Sequence, residues 1–224
     1  EGALMGIRSN LVLGLGKTGV SVARWLVSQG EHVIVNDSRV CPPGLDEIDV
    51  LKPKVIAHCG SFDARLLNGV DRIVVSPGVP RTTPVVTEAI SRGLPVVGDI
   101  ELFAAAVTAP VVAITGTNGK STVTTLVAKM AEAAGWSVLA GGNLGRPALD
   151  LLAEKTPAVY VLELSSYQLE STESLRTAVA VVLNLTPDHM DRYSSLDAYA
   201  AAKARIYRGC RSAVYNADDV IVRE

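Results

Sequence analysis

Val111-Val112-Ala113-Ile114-Thr115-Gly116-Thr117-Asn118-Gly119-Lys120-Ser121-Thr122 decides how this chain is read. A β-branched apolar run enters a glycine-bracketed turn, and the turn opens a helical segment, Lys120–Ala134, that Gly135 closes. Gly-Lys-Ser-Thr at a strand-to-helix turn presents backbone N–H groups to phosphate oxygens. Lys120 adds a cation for the β- and γ-phosphates, and Ser121 a hydroxyl for Mg²⁺. Gly116, Thr117, Asn118, Gly119, Lys120, Ser121 and Thr122 are therefore the candidate ATP loop. Ile114 stands where a strict GxxxxGK[ST] loop has its first glycine, so this loop is a shorter variant.

A second turn of the same kind lies upstream. Gly14-Leu15-Gly16-Lys17-Thr18-Gly19 follows the strand Leu11–Gly16 and opens the helix Thr18–Gln29, the context a GxGxxG needs. Glycines there permit a tight turn and close backbone approach, and the helix N-terminus offers free N–H groups to a phosphate. Asp37 ends the next strand, His32–Asp37, where an acidic side chain can meet ribose hydroxyls. NAD is the default ligand of such a turn. The same physics serves any diphosphate joined to a ribose, and glycines can also serve helix–strand packing alone.

Outward from these turns, short Val/Ile-rich runs alternate with helical segments, the mark of βαβ units around parallel sheets. Further strands are expected around Val55–His58 and at Arg72–Ser76, Pro95–Gly98, Ser137–Ala140, Val159–Glu163, Val179–Leu185 and Ser212–Asn216, with helices at Thr83–Arg92 and Leu196–Arg208. The fold class is α/β. A Rossmann-like N-terminal domain, residues 1–105, is followed by a partial P-loop-type α/β ATP-binding domain, residues 106–224.

Composition agrees. The 224 residues are 48% hydrophobic but only 4% aromatic, so Val, Leu, Ile and Ala must build the core. Lys and Arg number 21 against 23 Asp and Glu, a net charge of −2 with no basic run, which argues against a nucleic-acid binder. Mean hydropathy is +0.29, yet the most apolar stretch, Ala178–Leu185, falls far short of the roughly 18 residues a span needs, and no membrane association is expected. Glu1–Asn10 carries no basic cluster of the kind that opens a secretion leader. Cys41, Cys59 and Cys210 are odd in number without CxxC spacing, as expected of reduced thiols in a cytoplasmic chain.

The remaining polar groups sit at strand ends, where open α/β sheets place their ligands. Glu163 closes an apolar strand and could complete a Mg²⁺ shell begun by Ser121. His189 lies in Thr186-Pro187-Asp188-His189-Met190-Asp191-Arg192; a lone loop histidine is more often a surface residue than a ligand. Lys203 lies in an Ala-rich segment that can leave its amine partly desolvated, although a solvent-facing helix lysine is its ordinary reading.

Gly116–Thr122, Gly141-Gly142-Asn143, Glu163-Leu164-Ser165-Ser166 and Asp188–Arg192 occur in the order and spacing of the Mur ligases, which this chain resembles from Leu11 to Asp219. That family adds amino acids to the peptidoglycan precursor at the expense of ATP. Gly98–Phe103, Leu162–Glu170 (LELSSYQLE) and the N-terminal glycine turn resemble the branch that joins D-glutamate to UDP-N-acetylmuramoyl-L-alanine.

The resemblance implies a reaction: the L-alanyl carboxylate attacks the γ-phosphate of ATP, and the D-glutamate amine then displaces phosphate from the acyl phosphate. It implies that Lys120 neutralises the phosphates and that Ser121 and Glu163 hold one Mg²⁺. A second metal site would use His189 and Lys203, the latter N-carboxylated. Asn143, Ser165 and Gln168 would line the sugar-peptide substrate. The N-terminal turn is reassigned from NAD to UDP: Gly14, Lys17 and Thr18 would meet the diphosphate, and Asp37, Ser38 and Arg39 the uridine and its ribose. Ser76, Pro77 and Gly78 would lie on a neighbouring loop. The implied protein is a monomer without a redox cofactor.

Family members are about twice this length, so the chain reads as a fragment that binds UDP-sugar without turning over. Its second module would lack strands that cover its sheet edge. Another Mur ligase or a folylpolyglutamate synthase shares the GTNGKS-type loop, but the latter lacks such an N-terminal module. A nucleotide-sensing or NAD-binding module without catalysis would have no need of Glu163, His189 and Lys203 together.

Overall fold

The computed structural model describes residues 7–143 and 145–223. Residues 1–6, on which part of the leader reading rests, lie outside them. The chain divides into two compact units, Glu1–Asp99 and Ile100–Glu224.

In the first unit β1 (Ser9–Leu13), α1 (Lys17–Ser28), β2 (His32–Asp37), α2 (Leu45–Asp49), β3 (Val55–Cys59), β4 (Arg72–Val75), α3 (Pro84–Ser91) and β5 (Val96–Val97) follow in order. The strands form a parallel sheet ordered β3-β2-β1-β4-β5. β1 is central, and Leu11, Val12 and Leu13 have no exposed surface, which is why its sequence is apolar on both faces. The chain runs outward from β1 to β2 and β3, then returns to β4 on the other side. That reversal opens a crevice beyond the carboxyl ends of β1 and β4.

The second unit follows α4 (Asp99–Ala106) with β6 (Val111–Thr115), α5 (Lys120–Ala133), β7 (Val138–Gly142), α6 (Ala148–Leu151), β8 (Val159–Glu163), α7 (Ser166–Glu170), β9 (Val179–Val182), α8 (Leu196–Ala204), β10 (Ser212–Tyr215) and α9 (Val220–Arg223). Its parallel sheet is ordered β10-β9-β6-β8-β7. β6 is the central strand, so its carboxyl end, flanked by β8 and β9, is again the switch point. Both domains are therefore parallel-sheet α/β structures, as the alternating pattern implied.

The sequence and the structure differ at particular places. The sequence reading divides the chain after residue 105, whereas the compact units separate at Asp99 and Ile100. From Ile100 on, α4 belongs with the second unit: the buried Phe103 ring meets Tyr160 of β8 edge-on, with centroids 5.4 Å apart. β9 stops at Val182 rather than Leu185, and the Leu185 N–H leaves the ladder for the Asp219 carboxylate at 2.8 Å. α8 ends at Ala204 and tightens into a 3₁₀ turn, Arg205–Tyr207, instead of continuing to Arg208. β10 is an edge strand exposed along its whole length.

Phe103→Ala removes a ring with no exposed surface. It is expected to cost the second unit about 3–5 kcal/mol, read as a lowered urea midpoint for the Tyr160 signal, with the first unit's transition unchanged.

Candidate functional site

The phosphate-type loop of the second unit is built at the end of β6. Gly116 adopts φ +155°, and a Cβ there would lie 3.0 Å from that of Leu183, so only glycine fits without displacement. Gly119, at φ +77°, is the N-cap of α5. Asn184, just past β9, holds the loop between them. Its side-chain oxygen accepts from the N–H groups of Thr117 (3.1 Å) and Asn118 (2.8 Å), and its amide donates to the Asn118 carbonyl (3.0 Å). Lys120 donates to the Thr117 carbonyl at 2.8 Å, which keeps its ammonium over the loop.

Around the loop three strand ends converge. The Ser121 hydroxyl, in the first turn of α5, donates to Glu163 Oε2 at 2.6 Å. Glu163, at the end of β8, is 2% exposed, and its other oxygen accepts from the Asn143 amide at 2.6 Å. Gly142 makes this approach possible, because a Cβ there would fall 2.4 Å from the Glu163 carbonyl oxygen. Ser165 and Gln168 follow: each side chain caps the other's backbone N–H, and together they start α7.

Lys203 comes from α8 and reaches under the loop. It is 2% exposed, and its ammonium donates to the Gly116 carbonyl (2.8 Å) and the Thr115 hydroxyl (3.3 Å). Burial, and then the charge of Lys120, lower its pKa to about 7. Tyr199, one helical turn earlier, places its ring 4.8 Å from the Lys203 nitrogen and its hydroxyl 3.3 Å from the Thr117 hydroxyl. His189 is exposed, at φ +54°, with its ring 5.0 Å from that of Tyr167 and 6.4 Å from that of Tyr199. Among the described residues no three His, Cys, Asp or Glu side chains gather as a ready metal cluster.

In the first unit the glycine turn caps β1. Gly14 is at φ +91° against Ser76, whose hydroxyl donates to its carbonyl at 3.2 Å. A Cβ on Gly19 would fall 1.9 Å from the Gly14 oxygen, so helix α1 packs on the turn only because Gly19 has none. Asp37 is buried, accepting from the Leu15 N–H at 2.6 Å and from the backbone and guanidinium of Arg39. The Arg39 hydrogen bond is the main reason its carboxyl is held down, at about 2. Asp37 thus braces the turn, and Arg39 is the group presented outward. Lys17 and Thr18 stand in the first turn of α1, and Ser38 and Gly78 are exposed on neighbouring loops beside Pro77.

The family model for the N-terminal domain of MurD-like Mur ligases matches residues 8–98, and that for the Mur ligase middle domain matches residues 114–224. The chain belongs to the Mur ligase family. It is 56% identical over 211 residues to a UDP-N-acetylmuramoylalanine–D-glutamate ligase of Nitrosococcus oceani, covering 94% of this chain and 47% of that protein. To the ligase of that name from Marinobacter nauticus it is 54% identical over 214 residues, 96% of this chain and 48% of the relative. The chain spans about half the length of the curated relatives it matches. Two solved Mur ligase structures share the fold. UDP-N-acetylmuramate:L-alanyl-γ-D-glutamyl-meso-diaminopimelate ligase from Neisseria meningitides superposes with a TM-score of 0.66 at 21% identity, covering 97% of this chain and 74% of its own. UDP-N-acetylmuramate–alanine ligase from Thermotoga maritima gives 0.59 at 21%, covering 95% of this chain and 50% of its own.

Of the Mur ligase residues singled out from sequence, Ser121, Glu163 and Asn143 form one hydrogen-bonded group, and Lys120 is held over the loop by the Thr117 carbonyl. Lys203 meets the loop from below at the Gly116 carbonyl, and the His189 ring stands against Tyr199. Gly14, Asp37, Arg39 and Ser76 form the second group. Asn184 and Tyr199 were missed. Asn184 follows a strand next to β6, so the strand-end rule could have found it, and Tyr199 precedes Lys203 by one helical turn.

Asp37→Asn leaves Arg39 without its carboxylate. A carboxyl held at about 2 against an ordinary 3.8 contributes stability above pH 3.8 that fades as pH falls toward 2. The variant is expected to lose about 1–2 kcal/mol at neutral pH, allowing for the half-exposed Arg39. Its stability should also change less than the parent's between pH 4 and pH 2, which urea titrations across that range would measure.

Proposed function

We propose that this chain forms the UDP-sugar-binding and nucleotide-binding parts of a UDP-N-acetylmuramoyl-L-alanine:D-glutamate ligase. Such an enzyme makes its amide bond at the expense of ATP, through an acyl phosphate. The observation that carries this reading is the 56% identity over 211 residues to a ligase of that name. The site's chemistry supports it. A carboxylate acylates an amine only once its oxygen has become a good leaving group, and the transfer of a phosphoryl group to it crowds negative charge that fixed donors and cations must meet.

The loop N–H groups of residues 116–122 and the Lys120 ammonium meet the ATP phosphates. Ser121 and Glu163, a hydroxyl and a buried carboxylate 2.6 Å apart beside that loop, are an all-oxygen donor pair suited to Mg²⁺. When bound there, the ion neutralises phosphate charge. Lys203 fits the second metal site in N-carboxylated form, since an amine with a pKa near 7 is partly neutral at physiological pH and can add to CO₂ with loss of a proton. His189 is the partner of Lys203 in that site. Asn143, Ser165 and Gln168 line the acceptor peptide. In the first unit Gly14, Lys17 and Thr18 hold the diphosphate, and Asp37 positions Arg39 beside Ser38 at the uridine. Ser76, Pro77 and Gly78 close the other side. The UDP-sugar takes the place NAD has in other glycine turns of this kind. The partners are UDP-N-acetylmuramoyl-L-alanine, D-glutamate and ATP, in a monomeric cytoplasmic enzyme.

Calorimetric titration of the chain with UDP-N-acetylmuramoyl-L-alanine is expected to show saturable binding, and NADH none. Binding of NADH instead, or of neither, would overturn the reading of the first unit. After equilibration with ¹³CO₂, a carbamate carbon signal absent from Lys203→Arg is expected; its persistence in that variant would remove Lys203 from the proposed metal site.

A further inference from the structure

Beside the loop at residues 116–122 lies a cluster in which Tyr167, Glu170, Arg192 and Tyr193 have no role assigned above. Glu170 ends α7, and its carboxylate accepts from Arg192 Nη2 at 3.2 Å through one oxygen and from the Tyr193 hydroxyl through the other. The Arg192 guanidinium lies 3.8 Å over the Tyr167 ring. Tyr167 stacks nearly parallel to Tyr193, centroids 6.1 Å apart, and meets the His189 ring at 5.0 Å. The chain turns tightly here: the N–H groups of Arg192 and Tyr193 both donate to the His189 carbonyl, at 2.9 and 3.1 Å. His189 is the one non-glycine residue among those described with positive φ, at +54°. An L-residue keeps that conformation only where its surroundings hold it.

We propose that Glu170 is a positioning residue, a latch that clamps the 188–193 loop onto α7 and thereby fixes the His189 ring between Tyr167 and Tyr199. The side chains of Arg192 and Glu170 are 15% and 19% exposed, so their pair is partly desolvated and stronger than a surface ion pair. The Tyr193 hydroxyl remains a donor because burial, and then the hydrogen bond to Glu170, raise its pKa further. Glu170 receives both donors, Arg192 carries the stack onto Tyr167, and Tyr167 carries it to His189. The carboxylate is the group of α7 that Arg192 and Tyr193 engage together, beside the ring stack and the Tyr193 hydroxyl's hydrogen bond to Ser166. The functional meaning of the latch rests on the assignment of His189 above, but its geometry does not.

The chain contains only three histidines, His32, His58 and His189, and the first two lie in the first unit. Carbon-edited NMR of the imidazole signals therefore reads the latch directly, with His32 and His58 as internal controls. Tyr167→Leu gives the position His189 takes without the neighbouring ring. In Glu170→Ala the His189 signals are expected to move most of the way to that position, and in Glu170→Gln and Tyr193→Phe part of the way, while His32 and His58 stay put. His189 signals that superpose on the parent's in all three would overturn the proposal. The methyl signals of Ile114 and Val161, in the second core, report folding. If Glu170→Ala loses them, the two milder variants decide alone. A chain that fails to bind UDP-sugar would leave this result untouched, so the two readings fail separately.

Discussion

The Lys203 ammonium donates to the Gly116 carbonyl at 2.8 Å and the Thr115 hydroxyl at 3.3 Å, and the loop at residues 116–122 takes its shape over that contact. Gly116, at φ +155°, turns its carbonyl down onto that ammonium. A buried carbonyl so turned needs a donor, because leaving it unpaired costs about 1–3 kcal/mol. Lys203 supplies the donor and is itself taken out of water, which lowers its pKa to about 7. Loop geometry and amine chemistry are thus one constraint. A lysine at that place cannot be ordinary, and the loop could not keep that turn above an apolar side chain.

The two units use the same local device with opposite electrostatics. Each ends its central strand in a glycine turn that feeds a helix. In the first unit the turn is braced from beside by a carboxylate, Asp37, which accepts from the Leu15 N–H at 2.6 Å and carries Arg39 with it. In the second it is braced by an amide, Asn184, and by a cation beneath. That carboxylate is taken up by the Leu15 N–H and by Arg39, which leaves the helix N-terminus, with Lys17 in its first turn, open to an anion. A loop that keeps the Lys120 ammonium over its N–H groups at a helix N-terminus suits a polyphosphate. The glycine pattern alone carries neither message, and the residues on neighbouring strands supply it.

That difference also explains what the sequence made legible. Strands such as His32–Asp37, Val111–Thr115 and Val159–Glu163 are continuous apolar runs with a polar stop, and they fall where the pattern put them. Short helices such as α2, α6 and α7 are under two turns and carry no periodicity. Only α7 had a readable mark, the Ser165–Gln168 capping box. Ser121 and Glu163 could be paired from sequence because each ends or begins an element at the switch point. The depth of Lys203 could not, since an Ala-rich helix gives no clue to which face it buries. Asp37 is legible as a polar strand end and so as a candidate, but its commitment to Leu15 and Arg39 depends on side-chain reach, which spacing does not encode.

The Ala-rich character of α8 has its own logic. Tyr199 and Lys203 are four residues apart, so both project from one face toward the loop, and the small residues between them let the helix backbone come close. Tyr199 is 1% exposed, yet its hydroxyl reaches Thr117, its face meets the Lys203 amine, and its edge approaches the His189 ring. A ring with a polar tip is the side chain that can do this: its body fills the space beneath the loop while its oxygen meets the loop's own hydroxyl. Phenylalanine in its place would keep the packing and lose only the Thr117 contact. Leucine would also remove the surface that the amine and the imidazole share. The helix therefore sets three groups from three different elements with a single aromatic residue.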